Sequence, residues 1–473
     1  MTQPLHAIAE ASSAVFSDGE TRQTVAEIWR ADQDIREDIG RTLVVACIDS
    51  DFGGAAIYTS LVYGAAVPIF FTSQVGADRL NDVFARFRPN LFICKPGKTC
   101  PAGFQPAFKW HGYQVYAAEN QYDHGFHDAL CLLATTSGST GSAKMVRQSF
   151  DNVAINTQQI VRAIGIDRET TAITSLPIAY TFGMSTVNCQ IFAHGALAIS
   201  PHSITQKPML DLMLAEQVTL LSGVPQTYQQ LMQMRFFRSR YAASIQSCLQ
   251  AGGKLGQSLE DQLRKTFEGS GKDFFVMYGQ AEATTRMSVL PAADFLTRKH
   301  SAGKALDGGA FSILGADDTV QPALGEGRIC YTGPNVALGY ADESSQLKEG
   351  DDFDGHIDTG DIGTLDEDGY ITITGRAKRF AKINGISINL ADVEDILEQA
   401  TGAAFACIED QEVILAFHVA PVGQDVIEAA RQRLGLLATN FQTRKIAEIP
   451  RLDNEKTHYP KLQRLAREGA LTA

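Results

Sequence analysis

Two rhythms of apolar and polar positions run through the first third of this chain. Solid apolar runs at 42–47, 67–71, 91–94 and 129–134 have the length of buried strands. Between them, the segment around Ala55–Tyr58 and the one around Leu80, Phe84 and Phe87 space their apolar residues as helices do. Strands alternating with helices predict parallel pairing in a doubly wound α/β sheet. Residues 1–40 read as polar helix with a partly apolar face at 25–29. A helix over 151–165 is predicted, capped by Ser149 or Asp151. Strands are expected at 172–176, 219–223 and 274–278, each running into a turn. From 310 to 375 short strands and turns dominate and predict a small β-rich subdomain. No internal repeat and no low-complexity tract is visible.

The run at 129–134 leads into Thr135, Thr136, Ser137, Gly138, Ser139, Thr140, Gly141, Ser142, Ala143 and Lys144. Glycine lets backbone N–H groups approach a ligand, hydroxyls add donors and the lysine adds a point charge. Together these suit a polyphosphate. A flexible Ser/Gly linker is the alternative, but linkers seldom follow a core strand directly. The spacing Gly138-x-x-Gly141-x-x-Lys144 differs from the common NTPase loop, which places glycine and lysine side by side.

At 473 residues the chain exceeds one ordinary core, so two or more domains are expected. The net charge of -13 argues against a general nucleic-acid binder. From Arg376 onward the chain holds 13 Lys+Arg against 13 Asp+Glu, so the whole acidic excess lies before that point. A shift of this kind suggests a boundary, giving units 1–375 and 376–473. No apolar run is long enough to span a membrane, and no secretion signal is visible. The eight cysteines stand singly, none in Cys-x-x-Cys, which fits reduced thiols in a cytoplasmic protein.

Further along lie shorter stations. Residues 176–183 place Tyr180 and Phe182 before Gly183 at a strand end, which a packed corner would also explain. Tyr278, Gly279, Gln280 and Glu282 set a ring, a turn and a carboxylate together, able to stack a base and hold Mg²⁺. Asp361 follows Thr359 and Gly360, and its two oxygens could accept two ribose hydroxyls. Arg376, Lys378, Arg379 and Lys382 form a basic run, and Lys456 sits in a polar loop near the C-terminus. A surface turn, a capped turn and a solvated face account for each of these taken alone.

Their order carries more weight. With the Gly-rich loop at 136–144, the aromatic corner at 176–183 and Tyr-Gly-x-x-Glu at 278–282, the chain resembles the adenylate-forming superfamily. Gly325–Tyr340, Thr-Gly-Asp at 359–361, the Gly-Arg hinge region at 375–386 and the lysine loop at 449–457 extend the resemblance over nearly its full length. That family includes acyl-CoA synthetases, peptide-synthetase adenylation domains and luciferases. The resemblance implies a large N-terminal adenylation core (1–375) of doubly wound sheets plus the β-rich subdomain. It also implies a small mobile α+β C-terminal domain (376–473). It implies an ATP-dependent, AMP-forming acid–thiol ligase. In that scheme Thr136, Ser137, Gly138, Ser139, Thr140, Gly141 and Lys144 hold the departing phosphates. Glu282, with Thr140 near the phosphates, serves Mg²⁺. Tyr278 stacks on adenine, followed by Gly279 and Gln280, and Gly252 and Gly253 line the base and acyl pocket. Asp361 and Arg376 grip the ribose. Lys456 bridges carboxylate and phosphate, and Lys378 is the hinge. Tyr180, Phe182, Gly183 and Val224 fall at the acid pocket, with Met184 and Cys189 as further apolar wall.

Several positions depart from the family pattern. Glu455 replaces a glycine, Tyr180 and Phe150 replace histidines, and Asn389 replaces a glutamate. Gly183 stands where amino-acid-activating domains carry an aspartate, which points to a small or medium acyl or aryl carboxylate. The acyl acceptor is expected to be coenzyme A or the pantetheine of a separate carrier protein. The alternatives are an adenylation enzyme that loads an amino acid on a carrier, a nucleotide-binding module without chemistry, and an oxygenase of the luciferase kind.

Overall fold

The structure is a computed structural model, which describes residues 3–135, 144–315, 320–321, 325–376, 379–383, 386–433, 436–452 and 457–469. Two large sheets form the bulk of it. The first has eight strands, with Leu43–Cys47 between Val67–Phe71 and Leu91–Cys94, all parallel. Every residue of Leu43–Cys47 and Val67–Phe71 is buried, as expected for strands covered on both faces. Antiparallel strands Tyr113–Ala118 and Phe104–Trp110 finish one edge. Leu130–Thr135 and Met145–Ser149 pair antiparallel on the other side. The Gly-rich stretch therefore connects two antiparallel strands, Thr135 facing Met145 across its base.

The second sheet has fourteen strands. Its parallel part runs through Thr171–Ile173, Leu220–Gly223, Ser247–Gln250 and Asp273–Tyr278. Beyond Tyr278 the pairing turns antiparallel through Ser288–Leu290, Ser301–Ala305, Tyr370–Arg376, His356–Leu365 and Glu326–Thr332. The β-rich segment is thus joined strand to strand to the parallel sheet. Helices Phe52–Val62 and Thr181–Ala193 are buried on nearly all sides. Their side chains belong to one apolar cluster that spans residues of both sheets, including Ala46, Leu220 and Phe275.

Ser149 caps the helix Phe150–Ile164: its hydroxyl accepts from Asn152 N–H, and the Asn152 side chain accepts from Ser149 N–H. The first forty residues are not all helix. Strands Val15–Ser17 and Arg22–Thr24 interrupt them, and Val15–Ser17 pairs with Ala196–Ala198 at the far edge of the second sheet. Tertiary pairing overrides the local pattern there.

After Arg376 the described elements build sheets of their own. Phe380–Ile383 pairs with Ile386–Asn389, while Phe405–Asp410, Val413–His418 and Phe441–Lys445 form a three-stranded sheet. Separate apolar clusters serve this region, one including Val393, Leu397 and Phe405 and the other Leu415, Leu462 and Ala466. Arg379 forks onto Glu394 at 2.7 and 3.2 Å and lies 4.1 Å from the Tyr459 ring, so this member of the basic run is engaged inside the fold. All eight cysteines are free, and all but Cys100 are buried. No described helix is long and apolar enough to cross a membrane.

Arg147 is the largest fully buried polar side chain. It donates to the carbonyls of Tyr340 (3.0 Å), Gly350 (2.9 Å) and Glu349 and pairs with Asp352. The segment 338–352 is thereby tied to the strand that follows the Gly-rich stretch. Arg147→Met removes the cation and leaves buried carbonyls unsatisfied. We expect a loss of about 3 kcal/mol, read as a fall in the denaturation midpoint at unchanged slope.

Candidate active site

The parallel strand Asp273–Tyr278 ends in a tight turn, Ala281–Ala283. The chain comes so close to itself there that a Cβ on Gly279 would lie 2.0 Å from the Thr285 carbonyl oxygen. Only glycine fits that approach. The turn is pinned from three sides. Gln148 Nε2 donates to Ala281 O (2.9 Å) and Thr284 O (3.0 Å). Asn335, fully buried, donates to Ala283 O and Arg286 O. Ala337 N–H donates to Glu282 O. Gln280 precedes the turn in extended conformation. The turn is therefore rigid before any ligand arrives.

Tyr278, Asp361 and Arg376 converge on one face of it. The Tyr278 hydroxyl donates to Asp361 Oδ2 at 2.6 Å, and Arg376 Nε donates to Asp361 Oδ1 at 2.7 Å. Asp361 is buried, opposite Arg376 in the antiparallel register. The Asp361 carboxylate raises the Arg376 pKa further. Burial, and then the same carboxylate, push the Tyr278 phenol well above its usual range, so the tyrosine stays a donor. Each Asp361 oxygen accepts one bond here and keeps lone-pair capacity for another acceptor role, which is what a pair of vicinal hydroxyls needs.

A second group gathers at the other end of the turn. Tyr340 O–H donates to Glu282 Oε1 at 2.8 Å. Lys144 Nζ lies 5.5 Å from the Tyr340 ring centroid and 3.5 Å from Asp342 Oδ2. Lys144 is exposed, while burial followed by the Glu282 charge raises the Tyr340 phenol. Tyr340 was visible in the sequence only as the end of the Gly325–Tyr340 station, and its hydrogen bond to the acid was not. The described residues contain no group of three or more metal-ligating side chains. A single carboxylate still fits Mg²⁺, which keeps waters and takes most of its oxygens from phosphates.

Other predicted residues are placed as follows. Gly252 (φ +82°) and Gly253 are exposed beside Val224 and Pro225, a Cβ on Gly252 falling 3.1 Å from Val224 Cγ1. Tyr180 precedes the helix Thr181–Ala193. Phe182 lines an interior cavity, and Cys189 lies on its wall one and a half to two turns on. Gly183 packs closely on the segment before the helix. A Cβ there would lie 2.1 Å from the Pro177 carbonyl oxygen, so the position faces backbone and admits no side chain. Thr136, Ser137, Gly138, Ser139, Thr140, Gly141, Lys378 and Lys456 lie outside the described residues. Sequence reading missed Arg286 and Asn335, whose partners are far apart in the chain.

Residues 112–341 match the family described as AMP-binding enzyme. The chain is 28% identical over 282 residues to probable 4-coumarate–CoA ligase 2 of Dictyostelium discoideum, covering 59% of this chain and 50% of that one. It is 27% identical over 281 residues to 2-succinylbenzoate–CoA ligase of Enterococcus faecalis, covering 59% and 56%. The chain thus spans about half the length of these curated relatives. Among solved structures, o-succinylbenzoate CoA synthetase of Bacillus subtilis with its acyl-adenylate superposes with TM-score 0.77 at 20% identity, covering 98% of each chain. ATP-bound MatB of Rhodopseudomonas palustris gives 0.79 at 20% identity, covering 98% of this chain and 99% of that one. Residues 112–341 are thus similar to the AMP-binding enzymes, and the chain over nearly its whole length has the fold of these solved structures.

Proposed function

We propose that this protein is an AMP-forming acid–thiol ligase. A carboxylate is a poor acyl donor, because its leaving group would be oxide. Attack of a carboxylate oxygen on the α-phosphorus of ATP forms an acyl-adenylate and breaks the bond to pyrophosphate. A thiol then displaces AMP to give a thioester. The observation that carries the reading is the convergence of two polar groups on one rigid turn. Tyr278, Asp361 and Arg376 suit a ribose, and Glu282, Tyr340 and Lys144 suit a polyphosphate bearing Mg²⁺. Bound there, Mg²⁺ would neutralise charge on the departing phosphates.

In this reading Asp361 accepts the ribose hydroxyls, and Arg376 holds the carboxylate in the orientation that does so. Tyr278 offers its ring to adenine and its hydroxyl to Asp361. Lys144 and the hydroxyls of 136–140 meet the β- and γ-phosphates. The unit 376–473 is mobile. It turns about Lys378, bringing Lys456 to the site for the first step and withdrawing it for the second. The relatives and structures above whose names specify an activity are CoA ligases or synthetases, which favours coenzyme A as the thiol.

The test is carboxylate-dependent exchange of labelled pyrophosphate into ATP, with the nucleotide product identified. Exchange that needs an acid, with AMP accumulating once a thiol is present, is expected. ATP binding without exchange for any acid favours a module that binds nucleotide only, and ADP as product excludes the ligase. Thioester formation with CoA and with pantetheinylated carrier proteins then identifies the acceptor.

A further inference from the structure

A cavity lies between the helix Thr181–Ala193 and the parallel strands, with Met277, the neighbour of Tyr278, on its wall. Phe182 and Cys189 line it from the helix, and Leu249, Met277 and Arg286 from the sheet side. The space it leaves to water is about 10 Å³, room for roughly one molecule, so a longer occupant must displace side chains of its wall. Every group on this wall is neutral except Arg286. Its side chain is buried, with 4% of the residue exposed, and no described carboxylate pairs with it.

The guanidinium is held firmly. The backbone N–H of Arg286 donates to Asn156 Oδ1 (3.1 Å), and its carbonyl accepts from Asn156 Nδ2 and Asn335 Nδ2, both at 2.8 Å. One face of the guanidinium lies 3.9 Å from the Phe182 ring centroid. Nη1 donates to Thr285 O at 3.1 Å. Nε and Nη2, both buried, have no hydrogen-bond partner among the described residues. These two atoms form the side-on fork of an arginine, the edge that takes the two oxygens of a carboxylate. Burial lowers the Arg286 pKa to about 9, so the group is still mostly a cation at neutral pH. Leaving a cation and two N–H groups buried and unpaired is costly, and a fold retains such a group where something completes it.

We propose that Arg286 determines specificity, by receiving a second carboxylate at the far end of the acid substrate, so that this ligase activates dicarboxylic acids. The proposal rests on the ligase reading above. One carboxylate of the substrate meets the α-phosphorus, and the chain between passes Met277 and Phe182. The distal carboxylate accepts Nε–H and Nη2–H. An acid without that second charge leaves the fork unpaired on a wall that water hardly reaches, and a site of that design discriminates strongly.

The experiment measures acid-dependent pyrophosphate exchange with three- to eight-carbon dicarboxylates, the monocarboxylates of equal length and the diacids' monomethyl esters. At least one diacid should exceed its monoacid and its ester in kcat/KM by about a hundredfold or more. Arg286→Gln should remove most of that advantage, chiefly through KM, and Arg286→Lys should retain more of it than Arg286→Gln does. If the glutamine variant fails to fold, the wild-type comparison of diacid with ester decides alone. Exchange with monoacids as fast as with every diacid overturns this proposal and leaves the ligase reading standing. Exchange with no acid at all removes both.

Discussion

Lys456→Ala is expected to slow acyl-adenylate formation by about a thousandfold and to leave thioester formation from preformed adenylate close to wild type. The reasoning is electrostatic. In the first step an anionic carboxylate approaches an anionic phosphate, and negative charge accumulates between them as the bond to pyrophosphate stretches. A cation placed there stabilises the transition state more than the separated reactants, and only such a difference raises the rate. In the second step a thiol attacks a mixed anhydride whose leaving group, AMP, is already good, so the cation is not needed at that position. Lys456 itself lies outside the described residues, but its frame does not. Arg451 and Thr457 pair antiparallel, and His458 N–H donates to Pro450 O at 2.7 Å, so the loop's two ends are joined. Single-turnover measurements of the two half-reactions check the expectation. Equal loss in both would assign the lysine to folding or general binding.

The residues proposed to meet the nucleotide stood out in the sequence because their patterns are short and local. A Gly/Ser/Thr stretch after a strand, Tyr278 and Glu282 four residues apart, and Asp361 after a turn glycine each leave a mark within ten residues. The alternation of apolar runs and helical segments gave the parallel sheets for the same reason. What joins these parts was not legible. Tyr340 meets Glu282 across 58 residues and Asn335 meets Ala283 across 52, contacts that no local pattern encodes. Arg286 meets Phe182 across a still longer span, and an arginine in sequence reads as a surface residue until its burial is known. The strand Phe104–Trp110 was hidden for another reason. Pro106 lies inside it, and proline is tolerated in a sheet only at such an edge. Gly183 shows the opposite case, a position whose chemistry was readable by resemblance but whose side is set by packing against Pro177.

Glu282→Gln isolates charge from shape at the position proposed for the metal. Glutamine is isosteric and keeps an oxygen to accept the Tyr340 hydroxyl, which now sits 2.8 Å from Glu282 Oε1. The turn should survive, because its anchors are Gln148, Asn335 and the backbone of Ala337 rather than the carboxylate. In the proposed site the substitution removes an anionic oxygen ligand of Mg²⁺, a hard cation that prefers it strongly over an amide. Adenylation is therefore expected to fall by about a hundredfold at ordinary Mg²⁺ and to recover in part as Mg²⁺ is raised. Tyr340→Phe provides the contrast. It keeps the charge and removes only the donor that orients it, so its effect should be smaller, about tenfold, with a lesser shift in Mg²⁺ dependence. Titrating Mg²⁺ against exchange rate for both variants distinguishes a metal ligand from a structural acid. A glutamine variant with wild-type rate and unshifted Mg²⁺ dependence would move the metal away from this turn, since nothing else about the side chain has changed but its charge.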